Sequence, residues 1–483
     1  MEDCAPLLER AFALDPCEQA YTIEAITGEV PDFVRGTYYL NGPARFARAG
    51  LRYRHWLDGD GMACALRFEP DRVHFTNRFV RTHKFIAEDK AGHAIFRTFG
   101  TAFASDQMKR GIALESPGNV SVYPYHGTLL AFGEQGLPWE LDPVTLETRG
   151  PCTFGGRLNE ISPFSAHPKI DPTTGEMFNF GVAFSPTQPR LDVYRFDALA
   201  RLLYRKRFRL EYPCSVHDCG LSPNYMVFYL SPYILHMEAL LHDGLTLMDA
   251  LSWEPERGSR LLLVARATGD EIASIPIGQR YCLHLLNCFE TDNSLTVDVV
   301  EYDRPVYDQY QVLPDLFTEV SEAQPVRFVV DVQRRTLIAR HEIDYRLAPD
   351  FPALNPRHAT LPSRDFWMLG IGATGQHGRK FFNQLVHASW AEGTAGDIYQ
   401  APEKCYLGGE PMFIGDPRDP SAGVILCQLF DAERMASAFA LFDAFRVARG
   451  PVGLLPLREP IPPLFHASFQ RVEGSLDSRG SGV

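Results

Sequence analysis

The chain has 483 residues, 45% of them hydrophobic, and a formal net charge of −13. That length and apolar content provide for a large core, built either as several domains or as one long β architecture. The acidity and the lack of any basic stripe exclude nucleic acid as an expected partner, and no apolar run approaches the roughly 18 residues of a membrane-spanning helix.

The chain begins Met1-Glu2-Asp3-Cys4-Ala5-Pro6, acidic and without an apolar run, so no secretory signal is expected. Ten cysteines are scattered, with no C-x-x-C pair. Free thiols in a reducing cytoplasm fit this better than a disulfide framework.

Strand-like alternation begins early, at residues 72–80, and returns at 325–332. Between such runs a turn pattern recurs: an acidic or Pro residue, then Thr or Gly, then a second strand. It occurs at 140–147, 170–176, 253–259 and 331–337. Hairpins at loose intervals predict an all-β fold, a β-propeller, over a sandwich with unrelated tight turns. Residues 232–251 and 431–445 read as helices, although the Phe and Leu pattern of the second also fits a strand pair. No internal linker is visible, so residues 1–473 are expected to form one unit, and the Gly- and Ser-rich residues 474–483 a disordered tail.

Four of the fifteen histidines stand in distinctive settings. His167 precedes a Pro and an Asp-Pro turn. His217 lies between Pro213 and an apolar strand. His284 sits in a mostly apolar run, and His466 follows Pro462-Pro463. Each fits the entry to an inner blade strand, where a propeller would turn distant residues toward one axis. Four neutral imidazoles around one point imply a transition metal, and the residue types alone leave Zn, Cu, Fe and Ni open. The other histidines, His55 among them, read as surface or ordinary core residues. A metal-bound imidazole usually donates its second N–H to a carboxylate or carbonyl. Glu134, Asp350 and Glu410, each in a semi-apolar run, are the candidate acceptors.

The chain resembles the carotenoid cleavage oxygenases. The resemblance rests on Asn41-Gly42-Pro43-Ala44-Arg45-Phe46, Trp56-Leu57-Asp58-Gly59-Asp60-Gly61 and Asn77-Arg78-Phe79-Val80. It continues through Ser165-Ala166-His167-Pro168-Lys169, the His217-Asp218 and His284 segments, Glu410-Pro411-Met412-Phe413 and Phe465-His466, in family order. It implies a seven-bladed β-propeller with loops and short helices capping one face. It also implies Fe(II) held by His167, His217, His284 and His466, with Glu134, Asp350 and Glu410 supporting the rings. The implied activity is cleavage of a polyene C=C bond by O2 to two carbonyl products.

Three positions depart from the family pattern. Asp350 stands where Glu is usual, one methylene shorter, so its bond to a histidine calls for a shifted backbone or a water. Val120 stands where many members carry Thr beside the open metal position, which raises a non-oxidative retinoid-type isomerase as an alternative. Gly133 stands where the stilbene-cleaving branch has a Lys that contacts a phenol, which favours polyenes over lignostilbene- or resveratrol-type substrates. The resemblance also places an apolar patch at the tunnel mouth, so Leu240, Leu241, Leu245, Leu247, Met248 and Leu251 are expected either to touch a membrane peripherally or to pack on the propeller.

Overall fold

The computed structural model describes residues 5–185, 187–305, 313, 321–372 and 381–472. Seven antiparallel sheets of four or five strands stand around a central axis, forming the expected seven-bladed β-propeller. Blades two to seven begin at their innermost strands, Ser121–Tyr125, Lys169–Ile170, Gly220–Leu221, Tyr281–Thr291, Asp350–Leu354 and Cys405–Gly415. Blade one is composite. Its middle strands come from the N-terminal part of the chain, and its innermost strand is His466–Arg471, paired antiparallel with Gly36–Arg45 so that Asn41 faces His466. Blade seven takes Thr27–Gly28 onto its outer edge. N-terminal and C-terminal strands are thus both stitched into the ring by ladder hydrogen bonds.

The turn pattern read from the sequence has a common cause. Oδ1 of Asp142, Asp171, Asp331 and Asp431 accepts backbone N–H groups two or three residues further on. A short carboxylate satisfies the amides that a tight turn frees from the ladder. The turn at 253–259 differs, passing through a short 3-10 turn, Pro255–Arg257, into the strand Ser259–Ala265.

Both helical expectations are corrected. Residues 431–445 form a turn and the strand Ala436–Asp443, because the Asp431 carboxylate takes the Glu433 and Arg434 amides and Met435 adopts a φ of 54°. Within 232–251 only Met237–His242 is helical. The flanks, Tyr233–Leu235 and Leu251–Trp253, pair with each other as strands, and Gly244 (φ 73°) breaks the helix.

Neighbouring blades pack face to face through apolar side chains. Phe178 and Phe180 of blade three, for example, meet Met226, Phe228 and Val264 of blade four in one buried cluster. Nine described cysteines carry free thiols. Among the described residues no helix is long and apolar enough to cross a membrane. The tail expected at 474–483 lies outside the described residues.

Candidate metal centre

Each predicted histidine sits where an innermost strand begins or bulges. His167 and His217 immediately precede the inner strands of blades three and four, and His466 opens the closing strand of blade one. His284 lies within Tyr281–Thr291 of blade five, at a break in the ladder between Cys282 and Leu285. The structure brings all four together. They are buried, and their ligand nitrogens lie within 4.8 Å of one another. His167 Nε2 and His217 Nε2 are 2.9 Å apart.

Three rings are oriented from behind. His217 Nδ1 lies 2.8 Å from Glu134 Oε1, and His284 Nδ1 lies 2.6 Å from Asp350 Oδ1. His466 Nδ1 is 3.4 Å from Glu410 Oε2, which also accepts the Ala467 amide. A carboxylate at Nδ1 fixes the proton there and turns the Nε2 lone pair inward. Among the described residues His167 has no carboxylate partner. Burial, then the neighbouring rings of His217, His466 and His284, hold its pKa well below the ordinary imidazole value. Burial also lowers that of His466, against the pull of Glu410. Burial disfavours charge on His284, but the Asp350 charge and hydrogen bond, with the Asp218 and Glu410 charges, together raise its pKa, and Asp350 is lowered in turn.

These residues fit a metal ion. His284 Nε2 is buried without any hydrogen-bond partner, a costly arrangement for a neutral ring nitrogen. The four nitrogens, with a nearest approach of 2.9 Å and all within 4.8 Å of one another, could hold one ion between them.

A cavity of about 30 Å³ sits against His217, His284 and His466, with Val120, Trp56, Phe351 and Phe465 in its wall. That exceeds the ~10–15 Å³ one water needs. Leu57 and His217 also line a second cavity of about 100 Å³, walled by Phe164, Phe180, Phe184 and Leu251. It shares Leu114, Ser116, Gln135 and Leu247 with an outer cavity of about 560 Å³ that runs beneath Met237–His242. Shared lining residues place the three in series toward the histidines, with mostly apolar walls near the site and Lys109, Arg110, Glu115 and Glu160 in the outer wall. Of the six residues expected at the mouth, Leu240 is buried, Leu247 and Leu251 face the path, and Leu245 is exposed at 38%.

One carboxylate beside the site carries a role that sequence reasoning missed. Asp218 Oδ1 accepts from Lys169 Nζ (2.8 Å) and Cys219 N (2.7 Å), and Oδ2 from Leu285 N (2.8 Å). Asp218 thereby ties blade four to blades three and five, each time within two residues of a predicted ligand. Its adjacency to His217 was a signal in the sequence. The blade to which it reaches was not.

A family model described as retinal pigment epithelial membrane protein matches residues 14–471. An apocarotenoid-15,15'-oxygenase of Synechocystis sp. is 28% identical over 480 residues, covering 95% of either chain. An isoeugenol monooxygenase of Pseudomonas nitroreducens is 29% identical over 89% of this chain and 91% of its own. Among solved structures, a mutant of the Synechocystis apocarotenoid oxygenase superposes with a TM-score of 0.88 at 26% identity, covering 97% of this chain and 99% of that one. The match runs from before blade one to its closing strand, and the chain belongs to the carotenoid oxygenase family.

Proposed function

We propose that this protein is a non-haem Fe(II) dioxygenase that cleaves a C=C bond of a carotenoid or apocarotenoid with O2, giving two carbonyl products. One observation carries the reading: four inward-turned imidazoles, three of them braced by carboxylates, open onto an apolar path. His167, His217, His284 and His466 would hold the iron through Nε2, with Glu134, Asp350 and Glu410 keeping their protons on Nδ1. Bound there, iron supplies the redox chemistry that places one atom of O2 on each carbon of the broken double bond.

The protein's own contribution is positioning and dryness. The apolar walls hold an extended substrate so that one bond lies over the site, a placement worth several kcal/mol in favourable cases. Trp56, Phe351 and Phe465 flank the small cavity and offer flat faces to a conjugated chain. Val120, 2% exposed, fills the wall with methyl groups where a hydroxyl would draw water. Leu240, Leu247 and Leu251 serve as path walls, leaving Leu245 as the exposed member for contact with a lipid surface.

Iron-loaded protein is incubated with apocarotenals under ¹⁸O₂. Two carbonyl products, each labelled, are expected. Absence of carbonyl product from every polyene and stilbene tested, despite stoichiometric iron, overturns the reading. Isomerised product without label assigns the site to the isomerase alternative that Val120 raises. A phenolic olefin is the second substrate reading, favoured by the similarity to an isoeugenol monooxygenase. Against it, position 133 is Gly where the stilbene-cleaving branch has Lys, and the Ser116 hydroxyl occupies the space where that side chain would begin.

A further inference from the structure

The outer cavity of about 560 Å³ lies between two stretches of chain. Lys109, Arg110, Ile112 and Leu114 line one side, and Met237, Leu240 and Leu247 form a roof over the other. The roof is weak by itself. Its helix, Met237–His242, has six residues and no side-chain cap at its N-terminus. Helices this short are marginal alone, and the carbonyls of a last turn lack donors within the helix.

Arg97 supplies those donors. Its Nη1 donates to the Leu240 carbonyl in the last helical turn and to the Leu245 carbonyl just beyond Gly244, both at 3.0 Å. Cations at a helix C-terminus stabilise it. Asp106 holds the other edge of the same guanidinium, accepting from Nε at 3.1 Å and from Nη2 at 2.9 Å. The Arg97 and Asp106 side chains are only 13% and 4% exposed, so water does not compete strongly for the pair. A guanidinium gripped along one edge has its remaining donor aimed.

The mount beneath Arg97 is fixed as well. Arg97 N donates to the Gln107 carbonyl, and Gln107 N to the Ile95 carbonyl. Glu88 Oε1 accepts the Ile95 and Phe96 amides, while its Oε2 accepts from the fully buried Lys84 Nζ at 2.8 Å. Gln107 leads directly into the wall that begins at Lys109. Arg97 therefore clasps one side of the cavity to the other. Deeper in, the Met248 amide donates to the carbonyl of Phe99, which lines the inner cavity.

We propose that Arg97, aimed by Asp106, is a positioning residue that fixes the helix Met237–His242 over the path and so sets how fast a long apolar substrate enters and leaves. This rests on the olefin-cleaving reading above and adds control of passage to the same site. Arg97 lines neither the inner cavity nor the one at the histidines, so it acts on passage and not on the chemistry.

The test uses Arg97→Gln and Asp106→Asn in metal-free protein, measured separately so that one misfolded variant does not decide the matter. Amides of residues 237–248 are expected to exchange hydrogen about tenfold or more faster than in wild type, while those of the blade strands keep their rates. Release of a bound apocarotenal, followed by recovery of tryptophan fluorescence after rapid dilution, is expected to be about tenfold faster. Either measurement left at its wild-type value in both variants, or exchange raised evenly through all seven blades, overturns the proposal. Absence of cleavage by iron-loaded wild type sinks the dioxygenase reading alone, because exchange and release are read without metal. Absence of apocarotenal binding to metal-free wild type sinks the control of passage.

Discussion

Asp350 shows how a missing methylene is made up. Its carboxylate reaches His284 Nδ1 directly, at 2.6 Å, with no need for a water. The backbone supplies the reach. The ladder shifts register between Asp350 and Ala353, Phe351 sits at a φ of 51°, and Asp350 Oδ1 also accepts the Phe351 amide. A left-handed non-glycine residue costs about 1–3 kcal/mol, so the bulge is a maintained feature that fits a short side chain. Asp350→Ala is expected to weaken metal binding by about 10–100-fold, as loss of such a brace usually does. Asp350→Glu is expected to weaken it as well, by several-fold, because the longer side chain overreaches an unchanged bulge. Cobalt titration of metal-free protein measures both. Tighter binding in the Glu variant would show that the bulge does not compensate for side-chain length. His55, read from the sequence as an ordinary histidine, is fully buried and accepts the Leu57 amide on Nδ1, placing Leu57 at the path. Burial lowers its pKa to about 3. The unfolded chain therefore takes up a proton near pH 6.5 that the folded protein refuses. Stability should fall as pH drops from about 6.5 toward 3, with a slope from this residue of about 1.4 kcal/mol per unit. Asn keeps the acceptor, so His55→Asn should show a shallower slope than wild type in urea melts of metal-free protein. Parallel slopes would assign the acid sensitivity to other groups.

Between residue and fold, the elements that matter are the entries to the inner strands. The sequence exposed them because each histidine sits in an unusual local context: before Pro, after Pro-Pro, or within an apolar run. The supporting contacts were less legible because they cross blades. Asp218 follows His217, but that its carboxylate takes the amide after His284 depends on how the inner strand Tyr281–Thr291 of the next blade is placed, with its ladder irregular on both sides of Leu285. The leucines of 232–251 misled for a similar reason. Their near-helical spacing serves a helix of only six residues, a strand pair and the cavity wall, and Leu247 and Leu251 are half-buried against the path instead of under a helix face. Asp218→Ala removes the shared acceptor of three donors and should cost about 3 kcal/mol or more in metal-free protein. Asp218→Asn keeps an acceptor for Leu285 N or for Cys219 N and should recover part of that loss. Both should alter the visible absorption of bound cobalt, because the His217 and His284 backbones lose their common tie. A cobalt spectrum identical to wild type in both variants would make Asp218 a purely structural brace.

At the scale of the whole molecule, repeated turns made the propeller legible, and the family resemblance supplied the number of blades. The seam was beyond any local pattern, since nothing near Asn41 announces that it will face His466. The structure gives that motif its meaning. The Asn41 side chain, fully buried, donates to the Gly118 and Ser121 carbonyls at 2.9 Å, while the Asn41 main-chain carbonyl accepts the Phe465 amide at 3.0 Å. Trp56 Nε1 donates to the Pro463 carbonyl nearby. Blade one is therefore completed by the last described strand, and the same strand delivers a candidate metal ligand and presents the Ala467 amide to Glu410. Ring closure and site assembly become one event, which predicts that they fail together. A chain ending at Pro463 loses the inner strand of blade one and should melt at least about 5–10 °C below wild type, both without metal, and bind no cobalt. His466→Ala removes the ring and keeps the strand. It should lose metal affinity yet, without metal, melt close to metal-free wild type. If the truncated chain and His466→Ala melt at the same temperature without metal, the closing strand contributes a ligand and nothing to the ring.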